Sequence, residues 1–209
     1  MQTVTFEKVE KALVAIRDTA LANEQYFCEL DGVSGDGDFG TSLATGWREI
    51  AAKWDDLDRT SIGHLLLAHA QVIASKVGGC SGPIWGTAFM RAGMVARDKT
   101  SLSPEDIEVM FEKAIEGIKT RGGAEEGDKT LLDALAPMSR TFSATKAGDA
   151  VLHACLQTAE EAVESAMALQ ARRGRQSFTG ERSIGSKDPG MVAIALMTRN
   201  IAIALSGHE

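Results

Sequence analysis

The chain has 209 residues, of which 44% are hydrophobic and 24% are charged, and its formal net charge is −7. This composition is typical of one globular domain, and the acidic balance argues against nucleic acid as a partner. We expect no membrane association and a cytoplasmic location. No apolar run approaches the roughly 18 residues of a membrane span, the N-terminus has no secretory pattern, and the three cysteines are widely spaced.

Helices follow one another along the chain, and no segment has the pattern of a convincing strand. Phe6, Val9, Leu13 and Ile16 recur at spacings of three and four, which predicts an amphipathic helix over residues 5–28. Similar patterns predict helices over residues 41–53, 62–76, 84–97, 129–142 and 147–172.

Two proline-containing signals predict the remaining helix starts. Ser103-Pro104 offers an N-cap serine followed by proline at the first helical position, which opens a fifth helix. Asp188-Pro189 opens an eighth helix, whose run from Val192 to Leu205 is apolar nearly all round. Such a helix is expected to be buried on most sides.

Alternate connections between these helices are rich in glycine. The glycine-rich segments are 31–40, 77–82, 121–128 and 174–187, and they join helices 1 to 2, 3 to 4, 5 to 6 and 7 to 8. Short loops make neighbouring helices antiparallel, so these four connections should emerge at the same end of the bundle. We therefore expect one all-α domain over residues 1–209, with a site where the four loops meet.

The first loop holds three carboxylates, Asp31, Asp36 and Asp38, among four glycines. Like charges this close repel one another, so a folded chain keeps them either solvated or neutralised by a cation. Hard oxygen ligands on a flexible turn suit Mg²⁺ or Ca²⁺. The alternative is a solvated acidic turn. Asp31 would then lie at the C-terminus of the preceding helix, where its negative charge opposes the helix dipole.

The second loop, Gly78-Gly79-Cys80-Ser81-Gly82, precedes a helix and could direct backbone N–H groups and the Ser81 hydroxyl at a phosphate. Its alternative role is a close turn between helices. In the third loop, Gly122 would permit close ligand approach, while Asp128 is expected to cap the following helix.

The fourth loop is long and basic in an acidic protein. Arg175 and Asp188 are its candidates for ligand contact, because a guanidinium matches phosphate oxygens. The alternative is a solvated basic loop.

Together these motifs resemble the L subunit of dihydroxyacetone kinase, which also occurs as the nucleotide-binding domain of single-chain dihydroxyacetone kinases. The resemblance rests on Gly35-Asp36-Gly37-Asp38, Gly79-Cys80-Ser81-Gly82-Pro83, Gly127-Asp128-Lys129-Thr130, Gly180-Glu181-Arg182-Ser183 and Asp188-Pro189-Gly190, and it spans essentially the whole chain. It implies a barrel of eight antiparallel helices with the nucleotide at one end.

The resemblance also implies the site residues. Asp31, Asp36 and Asp38 would hold two Mg²⁺ ions, and Arg175 would stabilise charge on the transferred group. The ADP or ATP would contact Phe39, Gly40, Thr41, Ser42, Cys80, Ser81, Gly122, Leu131, Arg175, Asp188, Pro189 and Gly190.

The implied reaction is phosphoryl transfer to a small ketose held on a separate K-type subunit. The donor is either ATP or a phosphotransferase-system protein, and the oligomeric state stays open, a homodimer included. One departure is Phe39, which stands where the family usually carries histidine. It favours a second hypothesis, a nucleotide-loaded regulatory module without efficient kinase activity. A third hypothesis is a structural helical bundle with a solvated acidic turn.

Overall fold

The computed structural model describes residues 3–145 and 150–206. Two-residue strands, Val4–Thr5 (β1) and Ser101–Leu102 (β2), pair antiparallel, and 3₁₀ turns cover Trp54–Asp56 and Arg175–Ser183. The α-helices of this part of the chain are α1 (Phe6–Ala22), α2 (Glu24–Gly32), α3 (Phe39–Ala52), α4 (Ile62–Lys76), α5 (Ser81–Val95), α6 (Pro104–Gly122), α7 (Leu132–Thr145), α8 (Ala150–Ala166) and α9 (Pro189–Leu205). The all-α prediction is confirmed, although the small sheet was not expected.

The helices form a closed ring. From α3 to α9, each helix packs against the next in sequence, α9 packs against α1, and both α1 and α2 pack against α3. Within the described residues, none of these helices has the length and apolar character needed to cross a bilayer. The arrangement is the helical barrel that the resemblance implies.

The helix predicted over residues 5–28 is divided at Asn23 into α1 and α2. The Asn23 side-chain amide donates a hydrogen bond of 2.8 Å to the carbonyl of Thr19, which the Asn23 backbone N–H also contacts at 3.2 Å. A side chain that competes for a helical carbonyl loosens the backbone at that turn. If α1 and α2 count as the two parts of one predicted helix, the ring has the eight members that were expected.

Other helix limits differ from the sequence prediction by a few residues. Helix α7 begins at Leu132 instead of residue 129, and α8 ends at Ala166 instead of residue 172. The predicted start of α8 at residue 147 lies outside the described residues. The predicted starts of α6 and α9 are confirmed, since Ser103 and Asp106 form a reciprocal capping box and Asp188 accepts from the N–H of Met191 at 2.7 Å.

Helix α9 is the central wall of the core, as its apolar sequence predicts. Its residues from Pro189 to Ala195 are all buried, and Met191 packs in a cluster with Trp47, Leu43 and Leu132. A second cluster, around Leu13, Ile62, Leu65 and Leu102, lies where α1, α4 and β2 meet. The two clusters share neighbours such as Ile16 and Phe89, so the core is continuous through the barrel.

The connections separate onto two ends of the barrel. At one end β1 pairs with β2, and the N–H of Gly63 donates to the carbonyl of Ala96 at 3.0 Å, so the chain start meets the α3–α4 and α5–α6 connections. We call this the sheet end. The four glycine-rich connections converge on one pocket, which confirms the arrangement expected from their alternation. We call that the four-loop end.

Candidate functional site

A pocket of about 220 Å³ lies at the four-loop end. Every glycine-rich connection contributes to its wall. The lining residues are Asp31, Asp36, Asp38 and Phe39 from the first loop; Gly78, Gly79, Cys80, Ser81, Ile84 and Trp85 from the second loop and α5; Ile118, Gly122, Ala124, Thr130 and Leu131 around the third; and Arg173, Gly174, Arg175, Gln176, Asp188, Pro189 and Gly190 from the fourth.

The three aspartates of the first loop form a cluster. One ligand oxygen from each of Asp31, Asp36 and Asp38 lies within 4.8 Å of the others. Asp31 is buried at the end of α2, whereas Asp36 and Asp38 are exposed. Gly35 is required here, because a Cβ at that position would stand 2.1 Å from Asp31 Oδ1.

Asp31 is held by the loop that it organises. Its Oδ2 accepts hydrogen bonds from the backbone N–H groups of Asp38 at 3.1 Å and Phe39 at 3.3 Å. Burial nevertheless raises the pKa of Asp31 above its ordinary value, against those N–H groups, and the charge of Asp36 adds to the rise. A bound cation would remove both penalties.

The donor set fits a hard divalent ion. Three carboxylates within ligand distance of one another supply oxygen atoms only, which Mg²⁺ prefers, and they leave room for phosphate oxygens to complete the coordination. Within the described residues this is the one such cluster of aspartate, glutamate, histidine or cysteine side chains.

Arg175 lies beside the acidic cluster. Its Nε is 3.1 Å from Asp36 Oδ2, and its side chain is largely exposed. The guanidinium of the fourth loop and the aspartates of the first loop therefore meet in the same part of the pocket. In this position Arg175 could bind an anionic oxygen, such as that of a phosphate group, beside the carboxylates.

The second loop leads into the N-terminus of α5. Cys80 precedes the helix and makes no side-chain capping hydrogen bond, so the first N–H groups of α5 keep no cap from that residue. Gly79 has a positive φ of 61°, which suits a glycine, and Cys80 and Ser81 line the pocket. This geometry favours an anion.

The remaining expected contacts divide into two groups. Phe39, Gly122, Leu131, Asp188, Pro189 and Gly190 all line the pocket. Gly40, Thr41 and Ser42 occupy the first turn of α3 and are outside its wall. A Cβ on Gly40 would stand 1.9 Å from the carbonyl oxygen of Glu24, so this glycine allows α3 to pack on α2. The nucleotide contacts expected of Gly40, Thr41 and Ser42 stay predictions.

Phe39 is a buried residue at the pocket wall. Its ring packs edge-on against Phe27, with the centroids 5.9 Å apart, and only 9% of the residue is exposed. Its contact with Asp31 is made by the backbone N–H and does not involve the phenyl ring. The position therefore supports the acidic loop through its main chain.

Asp188 is half-buried at the pocket wall, next to the buried first turn of α9. Burial raises its pKa to about 7, against the hydrogen bond from the Met191 N–H, and the charge of Asp133 adds to the rise. Lys129 opposes this effect with its positive charge. Asp188 thus caps α9 and also brings a carboxyl group to the pocket wall.

Asp128 does not cap the next helix, contrary to the prediction. Its Oδ2 accepts from the Glu125 N–H at 2.9 Å, which closes the third loop on itself. The turn before α7 is held by Asp133, which accepts from the N–H of Thr130 at 2.8 Å. The helix begins later than its pattern suggests, because this turn takes residues 129–131.

Lys129 is a buried residue of the third loop, and sequence reasoning missed its role. Its φ is +61°, rare for a residue with a side chain, and its Nζ donates to the carbonyls of Leu169 at 3.1 Å and Ser183 at 2.5 Å. It therefore ties the third loop to both ends of the segment that carries Arg175. A lysine beside an aspartate carries no sequence signal of burial.

The fourth loop is ordered by further contacts with the third. The N–H of Arg172 donates to the carbonyl of Asp128 at 3.0 Å, and Arg173 Nε donates to the carbonyl of Gly123 at 2.6 Å. Residues Arg175–Ser183 form 3₁₀ turns with a kink at Gly180. The loop's arginines, Arg172, Arg173, Arg175 and Arg182, are all exposed, so the alternative of a solvated basic loop stays open. Arg175 and Gln176 begin these turns at the pocket.

Residues 33–202 match the DAK2 domain. The chain belongs to this family. The resemblance to dihydroxyacetone kinase L subunits is therefore confirmed, and the DAK2 match covers all four loops except the first residues of the acidic one, at Asp31 and Gly32.

Curated relatives of similar length are named as ADP-binding subunits. This DAK2 chain is 34% identical to the ADP-binding subunit DhaL of the PEP-dependent dihydroxyacetone kinase of Escherichia coli, over 90% of the chain and 91% of that protein. It is also 34% identical to the ADP-binding subunit DhaL of the PTS-dependent dihydroxyacetone kinase of Lactococcus lactis, over 84% of the chain and 85% of that protein.

Longer relatives contain this domain as one part. The L-erythrulose 1-kinase of Mycolicibacterium smegmatis is 36% identical over 85% of the chain, which covers 32% of that enzyme. The crystal structure of the dihydroxyacetone kinase of C. freundii superposes with a TM-score of 0.72 at 25% identity, over 93% of the chain and 34% of that structure. The chain thus spans about a third of these kinases.

Proposed function

We propose that this DAK2 protein acts as one nucleotide-binding domain of a kinase that phosphorylates dihydroxyacetone or a related small ketose. ADP or ATP would occupy the four-loop pocket, and Asp31, Asp36 and Asp38 would hold two Mg²⁺ ions. The observation that carries the proposal is the convergence of these carboxylates with Arg175 and the N-terminus of α5 on one pocket. Each group alone would be ordinary.

Bound Mg²⁺ would neutralise and orient the phosphate oxygens. The chain's own residues do the rest. The N–H groups of Asp38 and Phe39 fix the orientation of the Asp31 carboxylate, and this orients the acidic cluster towards the pocket. Arg175 stabilises negative charge on the transferred phosphoryl group, and the N-terminus of α5 stabilises it on the opposite wall.

The ketose would bind on a separate K-type subunit. Support comes from relatives, since those that match this chain along most of their length are named as subunits, while the erythrulose kinases are about three times as long. The phosphoryl donor is either ATP or a phosphotransferase-system protein, and relatives named as PEP-dependent or PTS-dependent kinases support the second.

A reconstitution assay tests this proposal. The chain is combined with the K-type subunit of its own organism and offered dihydroxyacetone, D-erythrulose or L-erythrulose. One set of reactions contains ATP, and another contains phosphoenolpyruvate with the phosphotransferase-system proteins. We expect ketose phosphate in one set. The absence of product from every three- or four-carbon ketose with both donors would contradict the kinase assignment.

Phe39 favours a second candidate, a nucleotide-loaded regulatory module. A buried phenyl ring cannot donate a hydrogen bond to phosphate, and the ring lines the pocket where the family usually has histidine. Phe39→His distinguishes the two functions. A large gain in turnover at unchanged ADP affinity would favour the regulatory module, whereas a wild-type rate equal to or above that of the variant would favour the kinase.

A further inference from the structure

Gln176 lies at the pocket wall with a buried side-chain amide that lacks hydrogen-bond partners. Only 4% of the residue is exposed, and neither its side-chain oxygen nor its side-chain nitrogen has a hydrogen-bond partner. Among the described residues that line the pocket, it is the only one with buried, unpartnered polar side-chain atoms. It is also absent from the motifs that support the family resemblance, because they skip this position.

A buried amide without partners destabilises the folded chain, because both its N–H₂ and its oxygen have lost water and gained nothing. An apolar side chain of the same shape would avoid that loss. The surrounding segment is otherwise well bonded, since Thr179 Oγ1 donates to the Gln176 carbonyl at 2.7 Å and Ser183 Oγ accepts from the Ala171 N–H at 2.9 Å. We therefore look to a ligand in the pocket for the hydrogen-bond partners that the amide lacks.

The pocket has two chemically different parts. Asp36 and Arg175 mark the charged part, where phosphates and metal would lie. The other part is apolar, with walls made by Ile84, Ile118 and Leu131. Such a surface accepts the flat faces of a nucleobase, whose polar edge then needs hydrogen-bond partners from the wall.

We propose that the Gln176 amide reads the edge of the adenine base, an inference that rests on the proposed nucleotide site. Adenine presents a donor at N6 beside an acceptor at N7, and a glutamine amide pairs with both at once. Guanine presents two acceptors at the corresponding atoms, O6 and N7, and leaves the amide oxygen unpaired. The amide is held out of water in the free protein, and pairing with the base would require a rotation of this flexible side chain.

The test exploits opposite effects on stability and affinity. Gln176→Met keeps the length of the side chain and removes both polar atoms. We expect the free energy of unfolding of the ligand-free protein to stay equal or rise, while the Kd for Mg-ADP rises about tenfold or more. The Kd for Mg-tripolyphosphate, which has no base, should not change.

A matched control is Gln157→Met in α8, where the exposed side chain donates to Glu161. It should change neither quantity. Unchanged ADP affinity in Gln176→Met would overturn the inference, and so would an equal loss of affinity for ADP and tripolyphosphate or a variant that fails to fold.

A measurement on the wild-type chain needs no variant. Calorimetry should give a Kd for Mg-GDP at least tenfold above that for Mg-ADP, and equal affinities would overturn base reading while leaving the nucleotide site intact. Binding of neither nucleotide, nor of tripolyphosphate, in the presence of Mg²⁺ would instead overturn the proposed function and the inference with it.

Discussion

The two ends of the barrel differ in how their polar and charged groups are arranged. At the sheet end, β1 bonds to β2, Ser103 and Asp106 cap each other's backbone, and Lys99 pairs with Asp106 at 3.1 Å, although Arg59 keeps two buried nitrogens without a hydrogen-bond partner. At the four-loop end, three carboxylates crowd together and a buried glutamine has no partner. The four-loop end differs because it holds three like charges close together, and a bound cation would neutralise their repulsion.

The largest effect is expected from breaking the acidic cluster. Asp36→Ala should raise the Kd for Mg-ADP by roughly a hundredfold or more, since even outer partners of a metal typically matter by tenfold to a hundredfold. The free energy of unfolding without metal should change little, because a repulsive charge and an exposed ion pair with Arg175 are lost together. Calorimetry with and without Mg²⁺ measures the first quantity, and urea unfolding measures the second. A variant that binds Mg-ADP as the wild type does would remove the acidic cluster from the site.

The second prediction concerns pH and the barrel wall away from the site. His69 is buried in α4 against Trp47 and Phe89, and burial lowers its pKa to about 4 from 6.5. Its neutral form is therefore favoured by folding, so its contribution is complete above pH 6.5 and is lost as the pH falls towards 4. The shift corresponds to about 3 kcal/mol of unfolding free energy.

Asp188 changes stability in the opposite direction, because a carboxyl group with a raised pKa binds its proton more tightly in the folded chain. The histidine effect must therefore be measured as a difference. Without metal, the unfolding free energy of His69→Gln relative to wild type should increase by about 3 kcal/mol between pH 7.5 and pH 4. A difference that does not vary with pH would show that His69 titrates normally.

The third prediction loosens the four-loop end without touching the cluster. Lys129→Met leaves the carbonyls of Leu169 and Ser183 without their donor, which should lower the free energy of unfolding by about 2 kcal/mol. It should also weaken Mg-ADP binding, because the segment carrying Arg175 loses one of its ties to the third loop, while the bonds of Arg172 and Arg173 to that loop remain. Lys187→Met is the control, since this lysine makes an exposed ion pair with Glu164 that contributes under about 1 kcal/mol. Equal effects of the two variants would contradict the structural role of Lys129.

The smallest effect is expected at the sheet end. Asp106→Ala removes half of the capping box and should lower the free energy of unfolding by about 1 kcal/mol. Mg-ADP affinity should be the same as in the wild type, since Asp106 lies at the other end of the barrel. Thermal unfolding and calorimetry on the same sample check both statements. A loss of nucleotide affinity would show that the two ends are coupled.

Much of this comparison could be predicted from residues that act locally. Ser103-Pro104 and Asp188-Pro189 start helices through neighbouring backbone groups, and both predictions are confirmed. The meeting of the four loops followed from their alternation along the chain, and the pocket confirms it. The prediction for Asp128 was wrong because its carboxylate accepts from the N–H of Glu125, three residues earlier, and only the folded loop determines this partner.

The sequence by itself determined an all-helical chain, the order of its connections and the place of the three aspartates, because these depend on periodicity, capping and loop length over short stretches. Only the tertiary structure decided the burial of Lys129 and the unpaired amide of Gln176. These depend on which segments surround a side chain, and such distant neighbours leave no periodic trace around the residue itself.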